Sequence, residues 1–145
     1  MKLHIGNEIW NKAGAFYVRM SVFVLERNME LAEEFDQQDT AAIEYAVIYD
    51  NEHPISTGRY EILDKETIRI GRIATLKAYR GRALGRTIIQ ALEEIGQKKG
   101  CTKALIHSEQ TAASFYRELG YKTASEEFYE NNVPCILLEK SLEQH

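Results

Sequence analysis

The passage from Thr67 to His107 constrains the fold most. Thr67 to Leu76 reads as a strand, and Leu84, Ile88, Leu92 and Ile95 then recur at helical spacing. Gly96 and Gly100 weaken and end that helix, and Lys103 to His107 reads as a short buried strand. A strand, a helix and a strand in so short a passage imply a parallel pair, because parallel neighbours need a crossover connection.

Between the first strand and the helix stands Lys77-Ala78-Tyr79-Arg80-Gly81-Arg82-Ala83-Leu84-Gly85-Arg86. A turn that opens a helix directs several free backbone N–H groups outward, and the helix adds the positive end of its dipole. Together these suit phosphate oxygens. Charge points the same way: the chain holds 22 Asp+Glu against 18 Lys+Arg, yet no acid lies between Glu66 and Glu93. Arg69, Arg72, Lys77, Arg80, Arg82 and Arg86 fall in that interval. A local positive field in an acidic chain suits a small polyanion better than a nucleic-acid duplex, which asks for a broader basic face. The alternative is a solvated surface turn, since Gly-x-x-x-Gly patterns are common.

A length of 145 residues with 44% hydrophobic content fits a single domain spanning residues 1–145. No stretch approaches the roughly 18 apolar residues that a membrane-spanning helix needs, and Met1 to Gly6 lacks the apolar run of a signal peptide. A soluble, cytoplasmic protein without a membrane partner is expected. Cys101 and Cys135 have no Cys-x-x-Cys spacing and read as buried or half-buried free thiols. His4, His53, His107 and His145 share no metal-ligand spacing, and no Gly-x-Ser-x-Gly element occurs. Both observations argue against bound metal and serine chemistry.

Along the chain, Leu3 to Ile9 reads as a strand. Trp10, Ala13, Phe16, Tyr17, Met20 and Val24 then mark an amphipathic helix whose aromatics are expected in the core, with Phe23 to Leu25 running into a loop. From Glu26 to Asp39 six carboxylates (Glu26, Glu30, Glu33, Glu34, Asp36 and Asp39) face one base, Arg27. That run is either a solvated face or, if it borders a cleft, an attractor for a cationic amine. Ala42 to Tyr49, Ile55 to Leu63 and Thr67 to Leu76 read as three antiparallel strands, separated by turns at residues 50–54 and 64–66. Gln110 to Leu119 is a short helix capped by Gly120. Tyr121 to Ala124 and Pro134 to Lys140 are the last strands, joined by a segment with a turn at Asn131-Asn132, and Ser141 to His145 is a fraying tail.

This order resembles the GCN5-related N-acetyltransferase superfamily over nearly the whole chain. Arg72-Ile73-Ala74-Thr75-Leu76 running into Arg80 to Arg86 is similar to that family's acetyl-CoA signature, Gln/Arg-x-x-Gly-x-Gly/Ala, with Ala83 in place of the first glycine. Ala112-Ala113-Ser114-Phe115-Tyr116-Arg117-Glu118-Leu119-Gly120-Tyr121 is similar to its Ala-x-x-Phe-Tyr-x-x-x-Gly-Phe pattern. The segment with Glu26, Asp36 and Asp39 also resembles small bacterial ElaA-type acetyltransferases, with Cys135 where their histidine is expected. The resemblance implies an α/β fold: a mixed, mostly antiparallel sheet of about seven strands, flanked by helices and splayed at the cofactor cleft.

It further implies acetyl-CoA as acyl donor, without metal, and a primary amine of a small molecule or peptide as acceptor, with homodimerisation open. The backbone of Ile73, Ala74 and Thr75 would pair with the pantetheine arm. Arg80, Gly81, Arg82, Ala83, Leu84, Gly85 and Arg86 would hold the pyrophosphate. Alanine keeps the N–H that such a cradle uses, so Ala83 matters only if the position needs positive φ or close approach. Tyr116 is the implied acid for the departing thiolate. No base is assigned: Glu26, Glu33, Glu34, Glu61 and His107 are candidates, and Cys135 as a nucleophile is disfavoured. A CoA-binding module without turnover is the competing reading.

Overall fold

The computed structural model describes residues 1–143. Among the described residues, eight strands form an open mixed sheet: β1 (Lys2–Gly6), β2 (Tyr45–Asp50), β3 (His53–Ile62), β4 (Thr67–Thr75), β5 (Lys103–Glu109), β6 (Lys122–Thr123), β7 (Phe128–Glu130) and β8 (Val133–Ser141). The order is β1-β2-β3-β4-β5-β8-β6, with β7 on β8. Four α-helices among the described residues accompany it: α1 (Ile9–Arg19), α2 (Leu31–Glu34), α3 (Leu84–Lys98) and α4 (Ala113–Glu118). The expected parallel pair is present, Thr67↔Lys103 to Ile70↔Ile106. That ladder stops there, although both strands continue. The strand beyond the expected seven is β7, in a segment read as a joining loop. Asn131 and Asn132 both take positive φ (52° and 64°), which closes a tight hairpin and lets Phe128–Glu130 pair with Val133–Cys135.

The described residues group into two compact units, Met1–Tyr60 with Arg72–Leu92, and Glu61–Gly71 with the described residues from Glu93 onward. In the first, α1 buries a face offset from the one its aromatics suggest. Asn11, Gly14, Ala15, Val18 and Arg19 are buried, whereas Trp10 and Tyr17 are each 55% exposed. The offset follows from two polar residues whose hydrogen bonds are satisfied inside. Asn11 Nδ2 donates to the carbonyls of Gly6 (3.1 Å) and Tyr45 (2.9 Å), and its Oδ1 accepts from the Tyr49 hydroxyl. Apolar periodicity alone passes over such residues.

The helix does not end at Phe23. It continues as a π-helical segment, Met20–Glu26, closed by Arg27 N–H to Val22 C=O at 3.1 Å. Val22 and Phe23 thereby join Val18 and Ala74 of β4 in one apolar cluster, flanked by Met29 and Leu76. Gly58 lets α3 approach β3, since a Cβ there would lie 2.6 Å from both Ile73 Cδ1 and Ile88 Cγ2.

Arg19 holds the acidic segment. It is 1% exposed, and its Nε donates to Glu34 at 2.7 Å while its Nη atoms grip Asp39 at 2.7 and 3.0 Å. Arg59 donates to Asp39 at 2.6 Å, and Arg72 reaches Glu34 (3.2 Å) and Asp36 (3.1 Å). Three arginines thus meet three carboxylates. Burial pushes Glu34 up against the pull of these arginines. Burial acts likewise on Asp39, but hydrogen bonds from Arg19 and Tyr45 and the charges of Arg19 and Arg59 hold it far below the usual carboxylate range. Asp36 is also lowered, its burial outweighed by Arg59 and Arg72.

In the second unit β5 pairs antiparallel with β8 from Lys103↔Ser141 to Glu109↔Cys135. Gly96 admits Ile68 and Leu142 against α3. Leu142 is buried and its N–H reaches the Thr102 carbonyl at 2.7 Å, so the chain is tied one residue past β8 rather than frayed from Ser141. Gln144 and His145 lie outside the described residues. Tyr121 donates to Glu93 at 2.7 Å, and Lys140 reaches the same carboxylate at 3.2 Å.

Arg19→Met should destabilise the protein by about 3–5 kcal/mol in denaturant unfolding, because it leaves buried carboxylates without their cation. Adding Glu34→Gln should cost less than the sum of the single changes. Asp36 and Asp39 have folded pKa values below the unfolded value of about 3.9, so their stabilisation is complete above that pH and declines as pH falls below it. An acid-unfolding titration should show that decline in the parent and a flatter one in Asp39→Asn.

Candidate cofactor site

The turn after β4 is shaped by backbone conformations that side chains resist. A single 3-10 turn, Lys77–Tyr79, follows Leu76, whose N–H is held by the Ile55 carbonyl at 2.9 Å. Gly81 then takes φ +84° and Ala83 φ +59°, and α3 begins at Leu84. Thr87 N–H to Ala83 C=O at 3.1 Å is the first rung of that helix, and the Thr87 hydroxyl also donates to Ala83 O. The N–H groups of Leu84, Gly85 and Arg86 precede that rung, so helix geometry leaves them without an acceptor within the helix. Arg80, Gly81, Arg82 and Ala83 are exposed, so an anion can approach the turn from solvent.

Ala83 therefore occupies the position where the signature's glycine has a physical reason. An L-residue in the left-handed region carries a strain of roughly 1–2 kcal/mol. The N–H remains available all the same.

Ile73, Ala74 and Thr75 lie on the last part of β4, in the same unit as the turn. Ser56 Oγ donates to the Ala74 carbonyl at 3.1 Å and contacts Thr75 Oγ1 at 2.8 Å. A serine hydroxyl has one proton, so Thr75 is the donor in the second bond. Arg80 Nε donates to the Thr75 carbonyl at 3.1 Å, and its two Nη atoms reach the Glu26 carboxylate at 2.7 Å each. The first residue of the motif thus ties the end of the π-helical segment to the end of β4. No sequence signal marks that pair, since 54 residues separate its members. Arg82 lies over the Tyr79 ring at 5.2 Å, and Tyr79 donates to Asp50 at 3.1 Å.

Tyr116 belongs to the other unit, on α4. Its ring meets Phe115 and Tyr121 edge-on, with centroids 5.1 and 6.3 Å apart, and its carbonyl accepts from Tyr121 N–H at 3.2 Å. Burial and the Glu109 carboxylate push its phenol up to about 12.

Two of the base candidates are engaged with arginines. Hydrogen bonds from Arg80 lower Glu26, and Glu34 is fully buried between Arg19 and Arg72. His107 sits 2.9 Å from Glu130 and edge-on to Phe128. Neither a wholly solvated face nor an open cation attractor describes the acidic segment, because Glu26, Glu34, Asp36 and Asp39 are all paired with this chain's own arginines.

Residues 10–121 match the acetyltransferase (GNAT) family. A Bacillus subtilis protein, YyaT, is 37% identical over 133 residues, covering 90% of this chain and 89% of its own. Among solved structures, a Lactobacillus plantarum protein assigned provisionally as an N-acetyltransferase is 38% identical, with TM-score 0.94 and 98% of each chain covered. Escherichia coli ElaA shares the fold at 20% identity (TM-score 0.82, 97% of this chain and 99% of that one). An Elizabethkingia anophelis GNAT family acetyltransferase, solved with acetyl-CoA bound, does so at 16% identity (TM-score 0.70, 97% of each).

Gly81→Val should weaken CoA binding about tenfold or more by calorimetry, since a β-branched residue at this φ adds strain of the order of 1.4 kcal/mol to the turn. Ala83→Gly should hold or improve that affinity. Unaltered binding in Gly81→Val would sink the assignment of the turn to the cofactor.

Proposed function

Because the chain belongs to the acetyltransferase (GNAT) family, we propose that it transfers the acetyl group of acetyl-CoA to a primary amine of a small molecule or peptide. The observation that carries this reading is the exposed turn in which Gly81 and Ala83 adopt positive φ immediately before the first N–H groups of α3. Such a turn presents backbone donors and a positive helix end to a pyrophosphate without needing any particular side chain. Arg80 then serves the cradle indirectly, holding the Thr75 carbonyl and Glu26 in place. Arg82 and Arg86 add to the positive field.

In this reading the neutral amine attacks the thioester carbonyl, a C–N bond forms and the C–S bond breaks. The proton lost by nitrogen balances the one gained by sulfur. Tyr116 is the donor to the departing sulfur. With its phenol raised to about 12 and a thiol near 8.5, full proton transfer would run uphill by roughly 3.5 pK units. Tyr116 therefore acts as a hydrogen-bond donor to the developing thiolate rather than as the final proton source. The acceptor is an amine, and any preference of the carboxylates of residues 26–39 for a cationic one is weakened by the pairing of four of the six with arginines.

Release of free thiol from acetyl-CoA, followed across a panel of primary amines, tests the reading. Acceptor-dependent release is expected. CoA binding without such release for any amine would indicate a CoA-binding module instead. Tyr116→Phe should lower turnover by about 100-fold or more and leave CoA affinity unchanged; equal turnover would remove Tyr116 from the chemistry.

A further inference from the structure

The three strands β5, β8 and β7 gather a set of donors that the acetyl-transfer reading does not use. Directly opposed residues of an antiparallel pair share a face, as do residues two apart on one strand. Glu109 opposes Cys135 and His107 opposes Leu137 in the β5–β8 ladder, while Phe128 opposes Cys135 and Glu130 opposes Val133 in the β7–β8 ladder. His107, Glu109, Cys135 and Glu130 therefore stand on one face. A nitrogen of His107, the sulfur of Cys135 and a carboxylate oxygen of Glu130 all lie within 4.8 Å of one another.

We propose that His107, Cys135 and Glu130 form a binding site for one zinc-class divalent cation. Zinc bonds of about 2.0–2.3 Å in tetrahedral geometry place donor atoms roughly 3.3–3.7 Å apart, so small side-chain rotations bring this set to coordination distance. A thiolate, an imidazole and a carboxylate form a borderline-soft set, which favours zinc, cobalt or cadmium over magnesium or calcium. The fourth position of a tetrahedral zinc site is left to a water.

The surroundings fit such a site. The Phe128 ring lies edge-on to His107 at 5.0 Å and restrains the imidazole. Cys135 is only 4% exposed, whereas the Glu130 side chain is 57% exposed and forms the open side from which a cation arrives. Burial and the charges of Glu130 and Glu109 now push the Cys135 thiol up, and a cation between these groups reverses that effect by compensating both carboxylates. Sequence spacing conceals the set, because its members come from three separate strands.

The test uses the full chain, freed of metal by a chelator and kept reduced with a phosphine, and does not depend on acetyl transfer. One equivalent of Co(II) should produce a sulfur-to-cobalt charge-transfer band that Zn(II) abolishes by displacement and Mg(II) leaves untouched. The band should vanish in Cys135→Ser and persist in Cys101→Ser. His107→Asn and Glu130→Gln should each weaken cobalt binding at least by the roughly tenfold typical of losing an outer-shell partner. In the unsubstituted protein, Zn(II) should slow alkylation of Cys135 and not of Cys101, a readout that requires no variant to fold. Absence of the band at stoichiometric cobalt, its persistence in Cys135→Ser, or equal alkylation of Cys135 with and without Zn(II) would each overturn the proposal.

Discussion

β4 depends on a bent backbone held by buried charge. Arg72 takes φ +52° in the middle of β4, a conformation that L-residues resist at roughly 1–2 kcal/mol. Its guanidinium lies against Glu34 and Asp36, which Arg19 and Arg59 anchor in turn. The local strain is thus offset by a network that would be left with uncompensated charge if the strand straightened. The bend falls just after Ile70, the last residue of β4 in register with β5.

The same network explains the acidic segment and the offset of α1. Six carboxylates against one base look like a solvated face only when the segment is read alone. Folding brings Arg19, Arg59 and Arg72 to it from α1, β3 and β4, and the buried face of α1 includes Arg19 for that reason. A buried arginine of this kind needs several acceptors at once, and Glu34 with Asp39 supplies them. The π-helical continuation then sets Phe23 against Ala74 and brings Glu26 within reach of Arg80.

Where local chemistry decides structure, the sequence was legible. The parallel pair around α3, the turns at Asn131-Asn132 and Gly120, and the free buried thiols all follow from residues close together in the chain. The two motifs at Arg80 and Phe115 carried the family. What escaped were features made by residues far apart: the Asn11 anchor, the arginine network, the Glu26–Arg80 clamp and the donors around Cys135. Apolar periodicity assigns Trp10 and Tyr17 to the core because it has no way to credit a satisfied Asn or Arg with burial. The sequence does not mark β7, because three residues of which two are exposed resemble a loop until a partner strand is known.

Ala83 shows how the two kinds of information combine. The signature's glycine stands where the chain needs positive φ, and the structure places Ala83 there at +59°. Its strain persists only because both sides of the turn are fixed. On one side Arg80 is clamped to Glu26 and the Thr75 carbonyl; on the other, α3 is seated by Ile88 beside Gly58. A turn held from both ends can tolerate one residue with an unfavourable backbone and still present its N–H groups. The arginine that opens the motif therefore acts chiefly as a brace, and the main chain that follows it keeps its N–H groups in place.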